Sequence, residues 1–316
     1  SRTVGEFAAG TGRHIHLVLE NDDNLARLLD PNGEPPDGRY RAQWNDDYHH
    51  AWHALLTGEH HSYYSDYTAP LTHIARALTS GFSYQGEPSG YRGGHNRGEP
   101  SGALSPLAFV HFLQNHDQIG NRPLGERLVT LGSLDAIEAA LAITLLAPMP
   151  PLLFMGEEWG ATQPFPYFCD HQGGLADAIK ESRQRDLAAG YLGLVDEIPD
   201  PLDEATVRAA TLDWSDLSTP AARRRLDLVR RLLAARRDMI VPRLVDAAFD
   251  YGGVSDDGVL VVQWRLNSSS HLHLLANLSD LPAPCELAAA ERIHVWGDQS
   301  GGPLAPWSVG WWIDGP

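Results

Sequence analysis

Cysteine is nearly missing from this 316-residue sequence: Cys169 and Cys285 are the only two and lie far apart. That excludes a disulfide framework and any CxxC metal or redox site, and it fits a reducing, cytoplasmic setting. Basic residues are scarce as well, 24 Lys and Arg against 41 Asp and Glu for a net charge of −17. No stripe of them could follow a phosphate backbone, so nucleic acid is excluded as a partner. Nowhere do about 18 uninterrupted apolar residues occur, so no membrane-spanning helix is expected, and the first twenty residues contain no apolar core of an export signal. Internal repeats are missing too. The glycines of Gly90 to Gly98 lack the Lys-Ser/Thr end of a phosphate loop. His49 and His53 fall at i and i+4 with His60 and His61 nearby, but no HExxH accompanies them, so they read as solvated or sugar-facing residues. Neither a cofactor nor a metal is expected.

What is present is enough apolar residue, 43%, to bury one sizeable core and a smaller second one. Four short apolar runs each end in polar residues. His14 to Leu19 runs into Glu20-Asn21-Asp22-Asp23-Asn24, and Tyr40 to Trp44 into Asn45-Asp46-Asp47. Phe109 to Leu113 runs into Gln114-Asn115-His116-Asp117, and Pro151 to Met155 into Gly156-Glu157-Glu158-Trp159. Helical patterns lie between them: Leu71 to Leu78, then Leu134, Ile137, Leu141 and Leu145 behind Ser133 as N-cap. Strands alternating with helices imply parallel βα units, and functional residues at the strand ends are what a (β/α)8 TIM barrel requires. Four units make half a barrel.

The Arg-rich stretch Ala221 to Arg237 predicts a helix with a solvated basic face. Beyond Pro242 the texture changes. Val259 to Leu266 and His271 to Leu278 are β-rich, with Gly, Asn, Ser and Asp between them. The expected fold is α/β: the second half of a (β/α)8 TIM barrel over residues 1–243, then a small antiparallel β domain over 244–316. Gly81 to Gly98 reads as a loop, and Leu212-Asp213-Trp214 as a packing and capping turn.

Glu20 and Asp117, each at the end of an apolar strand, suit glycoside chemistry, in which one carboxyl protonates the leaving oxygen and another stabilises an oxocarbenium-like transition state. Either could equally cap a helix or serve a turn, and spacing alone does not choose. Longer motifs narrow the choice. The segment Phe112 to Arg122, FLQNHDQIGNR, followed by Gly125-Glu126-Arg127-Leu128, resembles the seventh-strand region of the maltooligosyltrehalose trehalohydrolases, a family of the α-amylase superfamily. Leu152 to Ala161, LLFMGEEWGA, with Pro164-Phe165 and Asp170-His171, is similar to that family's eighth strand and loop. Gln43 to Ala51, QWNDDYHHA, and Tyr63 to Tyr67, YYSDY, resemble its sixth-strand region.

The resemblance implies a retaining glycosidase that cleaves the α-1,4 bond next to the trehalose end of maltooligosyltrehalose and releases trehalose. It makes Glu20 the general acid/base, Asp117 the transition-state stabiliser and His116 a hydrogen-bond partner of the sugar at the cleavage point. Gln118, Asn121, Asp46, Asp47, His49 and His50 are then expected at the substrate. Trp44, Tyr63, Tyr64, Tyr91 and Arg92 are candidates for a sugar-binding cleft, since flat rings pack on sugar faces; for each ring, core packing is an equal alternative. Ser89 to Gly93 resembles a family loop near the sugar subsites. The family's nucleophile is an Asp on the preceding strand, and the nineteen residues before Glu20 contain no Asp. The chain is therefore expected to lack it and to be inactive alone. The partner expected is maltooligosyltrehalose or a related α-glucan. Other readings are another α-amylase superfamily hydrolase or branching enzyme, or a non-catalytic glucan-binding fragment.

Overall fold

The computed structural model describes residues 2–30, 40–190, 198–267, 269–284, 292–296 and 303–315; Cys285 lies outside them. Helix α1 (Arg2–Thr11) leads to strand β1 (Val18–Leu19), followed by β2 (Ala42–Trp44) and helices α2 (Asp46–Thr57) and α3 (Pro70–Ser80). A short hairpin, β3 (Glu87–Pro88) with β4 (Asn96–Arg97), interrupts the stretch expected as plain loop. Strand β5 (Phe109–Val110) precedes α4 (His116–Gly120), α5 (Leu128–Leu131), α6 (Leu134–Leu146), α7 (Gly174–Gly190), α8 (Glu204–Ala210) and α9 (Pro220–Ala235).

Strands β1, β2 and β5 form a parallel sheet in that order, Leu19 pairing with Gln43 and Gln43 with Phe109. The fourth run joins beside β5 through a single parallel bridge, His111 to Pro151. There His111 donates to the Pro150 carbonyl at 2.9 Å and Leu152 donates to the His111 carbonyl at 2.8 Å. Four parallel positions in consecutive order thus match the expected units, but the ladders are shorter than the apolar runs. At the fourth the reason is chemical: Pro150 and Pro151 bring no N–H, so the ladder cannot extend through them.

Strands β6 (Ala248–Val254), β7 (Leu260–Arg265), β8 (His271–Asn277), β9 (Arg292–Trp296) and β10 (Ser308–Asp314) form an antiparallel sheet in the order β6-β7-β8-β10-β9. Leu260, Val262 and Trp264 of β7 alternate inward with Leu272, Leu274 and Ala276 of β8, all buried, as period 2 requires. Trp264 stacks on Trp311 and donates its indole N–H to the Leu78 carbonyl of α3 at 2.8 Å. One continuous apolar cluster runs from α2, α3 and α6 into this sheet.

Ser133 caps α6 as expected, accepting from the Ala136 N–H. Asp213 caps the turn at Ser215, and Trp214 packs on Trp159 at 5.2 Å. The basic face of α9 needs a correction. Arg225 is buried and meets the buried Glu138 of α6 at 3.0 Å, because that position turns inward toward α6. Among the described residues no helix is long and apolar enough to cross a membrane.

Candidate active site

The residues that follow the parallel strands converge on a cleft of about 390 Å³. Glu20, Asn21 and Asp22 reach it from the end of β1, Asp46 and His50 from the start of α2, and Asp117, Gln118 and Asn121 from α4. Tyr63, Asp66, Ser89, Tyr91, Arg92 and Arg97 close the remaining side.

Asn115 explains how Asp117 is held. Its side-chain oxygen caps α4, accepting from the backbone N–H of Asp117 at 2.9 Å and of Gln118 at 3.4 Å, so the Asn-His-Asp order turns the chain and leaves His116 and Asp117 exposed. A Glu20 carboxylate oxygen, a His116 ring nitrogen and an Asp117 carboxylate oxygen lie within 4.8 Å of one another. The two carboxyls singled out in the sequence are therefore neighbours across the cleft. Among the described residues this trio is the one group close enough to hold a cation, and all three members are exposed.

Asp46 is half-buried and accepts from Gln118 Nε2 at 3.4 Å. Burial pushes its carboxyl up to about 7; the Arg97 guanidinium opposes this, and Asp47, Asp22 and Asp117 add to it. His49 and His50 are buried. Burial, helped by His53, lowers His49 to about 3, and burial with neighbouring His49 and Arg97 holds His50 well below its usual value. Both rings are thus neutral near pH 7 and bring no positive charge to the cleft.

Not every expected residue faces that cleft. Asp47 is fully buried beneath it. His49 meets the Leu113 carbonyl at 2.5 Å and the Tyr64 hydroxyl at 3.0 Å. Tyr64 is buried and stacks on His53, whose Nε2 pairs with Glu59 at 2.7 Å. Trp44 is half-buried, edge-on to Phe112 and His116, and supports the His116 ring. Arg92 lines the cleft, but its guanidinium is engaged with Asp22 and Asp23, each at 2.7 Å.

Sequence reasoning did not single out Asn21, Asp22, Asp66, Ser89 and Arg97, which also line the cleft. Asp66 accepts from the Tyr91 N–H at 2.9 Å and from Ser89 Oγ at 2.5 Å, and so orients the exposed Tyr91. The available signal was the YYSDY segment itself, where the Asp counts for more than the rings beside it.

Residues 247–311 match a family described as "Domain of unknown function (DUF3459)". The malto-oligosyltrehalose trehalohydrolase of Deinococcus radiodurans is 39% identical over 230 residues, covering 72% of this chain and 37% of its own length. That of Brevibacterium helvolum is 37% identical over 317 residues, covering 97% of this chain and 52% of its own. The chain belongs to the malto-oligosyltrehalose trehalohydrolase family. It spans about half the length, or less, of these curated relatives. A crystal structure assigned to an alpha amylase from Salmonella typhimurium superposes with a TM-score of 0.84 at 37% identity, covering 95% of this chain and 51% of that one. An isomaltulose synthase from Erwinia rhapontici, with a TM-score of 0.54 at 13% identity over 97% of this chain and 56% of its own, shares the fold. The cleft of this chain lies where the loops after its parallel strands meet, the place where TIM barrels carry their active sites.

Proposed function

We propose that this cleft binds the trehalose end of a maltooligosyltrehalose and takes part in cleaving the adjacent α-1,4 bond with retention. The observation that carries the reading is the meeting of Glu20 and Asp117, from two different strand ends, with carboxylate oxygens within 4.8 Å. Glu20 protonates the leaving oxygen and then, as a base, activates water. Asp117 stabilises the oxocarbenium-like charge, and His116 hydrogen-bonds the sugar beside it. Tyr91 and Tyr63, edge-on at 6.1 Å, offer the flat surfaces a glucosyl chain needs. The nucleophilic carboxylate comes from the part of the relatives' length that this chain does not span, where it completes the other half of a (β/α)8 barrel.

A second reading has an observation of its own. Retaining enzymes hold their two carboxyls about 5 Å apart, and the Glu20 to Asp117 approach falls within 4.8 Å. Asp117 could then itself be the nucleophile, and the chain would act alone. Trehalose release from maltotriosyltrehalose by the folded 316-residue chain, followed by chromatography, separates the two: none supports the first reading, steady release the second. No binding of that sugar at all, by calorimetry, overturns both.

A further inference from the structure

We propose that the buried Asp47 is no sugar ligand but the anchor of a hub that, through Arg97 and Asn24, positions the loop carrying Glu20. The inference rests on the reading of Glu20 as the general acid.

Both Asp47 oxygens are used inside the protein. One accepts from the Tyr67 hydroxyl at 2.6 Å and faces Arg97 across 2.9 Å. The other accepts from Asn24 Nδ2 and from the backbone N–H groups of Ser83 and Tyr84, each at 2.8 Å. With Asp47 fully buried, four hydrogen-bond donors fill its two oxygens and the Arg97 guanidinium stands beside them, so no lone pair is left for a hydroxyl group.

The hub's outputs point at one place. Arg97, itself 5% exposed, donates Nε to the Asp22 carbonyl at 2.7 Å and Nη1 to the Tyr67 hydroxyl at 3.0 Å. Its planar fork thereby holds the acid loop and Asp47 at once, which a lysine's single ammonium cannot do in the same geometry. Asn24 closes that loop from the other end. Its φ of 55° lies in the left-handed region, a conformation Asn tolerates but which persists only when the surroundings enforce it. Here the bond to Asp47 and the Glu99 N–H on the Asn24 carbonyl at 3.0 Å do so. Ahead of these two anchors, next to Glu20, Gln43 donates to the Asn21 carbonyl at 2.5 Å. Glu20 is exposed at the front of this tethered loop, and its aim is set by backbone contacts behind it. A catalytic group displaced by about 1 Å loses about a hundredfold in rate, so such a hub has a function beyond stability.

The test uses the full chain with Arg97→Met, Arg97→Lys and Asn24→Ala, which spare Asp47 itself. Amide hydrogen exchange is followed at residues 20–24 and, as reference, in β7. We expect exchange at 20–24 to rise about tenfold to a hundredfold in Arg97→Met and Asn24→Ala, with β7 unchanged and Arg97→Lys intermediate. The side-chain carboxyl resonances of Glu20 and Asp117 are recorded with and without maltotriosyltrehalose. The Glu20 response should shrink in Arg97→Met while that of Asp117 persists. Unchanged exchange at 20–24, or a rise shared equally with β7, overturns the proposal. If neither resonance of the parent chain responds to the sugar while the local exchange pattern appears, the functional reading fails and the tethering of the loop stands.

Discussion

Replacing Asp46 by Asn should stabilise the chain above neutral pH and leave it nearly unchanged in acid. The carboxyl of Asp46 is pushed from 3.8 up to about 7 in the fold, burial being the main cause. Between about pH 4 and 7 the unfolded chain therefore releases a proton that the folded chain keeps. Stability falls as pH rises through this window, and above about 7 the folded protein holds a disfavoured charge among Asp22, Asp47 and Asp117 that Arg97 only partly offsets. The ceiling on this effect is about 4 kcal/mol, from about 1.4 kcal/mol per pKa unit. Because one side of Asp46 is open to the water of the cleft, we expect about 1–3 kcal/mol in practice. Loss of a negative charge from the first turn of α2 opposes this by about 0.3–1 kcal/mol, which leaves a net gain of about 1–2 kcal/mol. Thermal melts of the parent and Asp46→Asn at pH 8 and pH 4.5 provide the assay, with a gain of about 1–4 °C expected at pH 8 only. Equal melting at pH 8, or a gap of one size at both pH values, would refute the assignment of a strained carboxyl to this position.

Other consequences follow from packing. Trp264→Phe keeps most of the ring contact but leaves the Leu78 carbonyl without its buried donor, and should cost about 1–3 kcal/mol in urea unfolding. Glu138→Leu strands the buried Arg225 guanidinium and should cost about 3–5 kcal/mol by the same measurement. Gly125→Ala places a Cβ 2.2 Å from the Pro166 nitrogen at a φ of +68°. We expect at least about 1 kcal/mol of destabilisation, visible as a lower melting temperature and a loosened Phe165–Pro166 segment in proteolysis.

The parallel order of the strands, the antiparallel sheet at the C-terminal end and the pairing of Glu20 with Asp117 were legible in the sequence. The first two rest on local patterns, apolar runs that end in polar residues and β-rich alternation; the pairing of Glu20 with Asp117 came from the longer motifs and the family they resemble, since spacing alone did not choose it. What was not legible depends on which way a side chain turns. Asp46 and Asp47 are adjacent in the first turn of α2, yet one faces the cleft and the other is buried beneath it, and composition cannot separate neighbours that differ by about 100° of helical rotation. Arg97 sits in a glycine-rich stretch that reads as solvent-facing, while the hairpin of β3 and β4 folds it inward onto Asp47. Arg225 and Arg236 likewise lie in an Arg-rich stretch whose other arginines are exposed, and only their neighbours mark them out: Glu138 of α6 for Arg225 and the carbonyls of Leu145, Ala147, Pro148 and Met149 for Arg236.

Placing Glu20 and Asp117 in a trehalose-releasing site has a direct consequence for activity. Trehalose release from maltotriosyltrehalose is compared for the parent, Glu20→Gln and Asp117→Asn, each joined to the part of the relatives' length that this chain does not span. Release by the parent and a loss of at least about a hundredfold in each variant are expected, with sugar binding retained. Undiminished release by Glu20→Gln would contradict this placement.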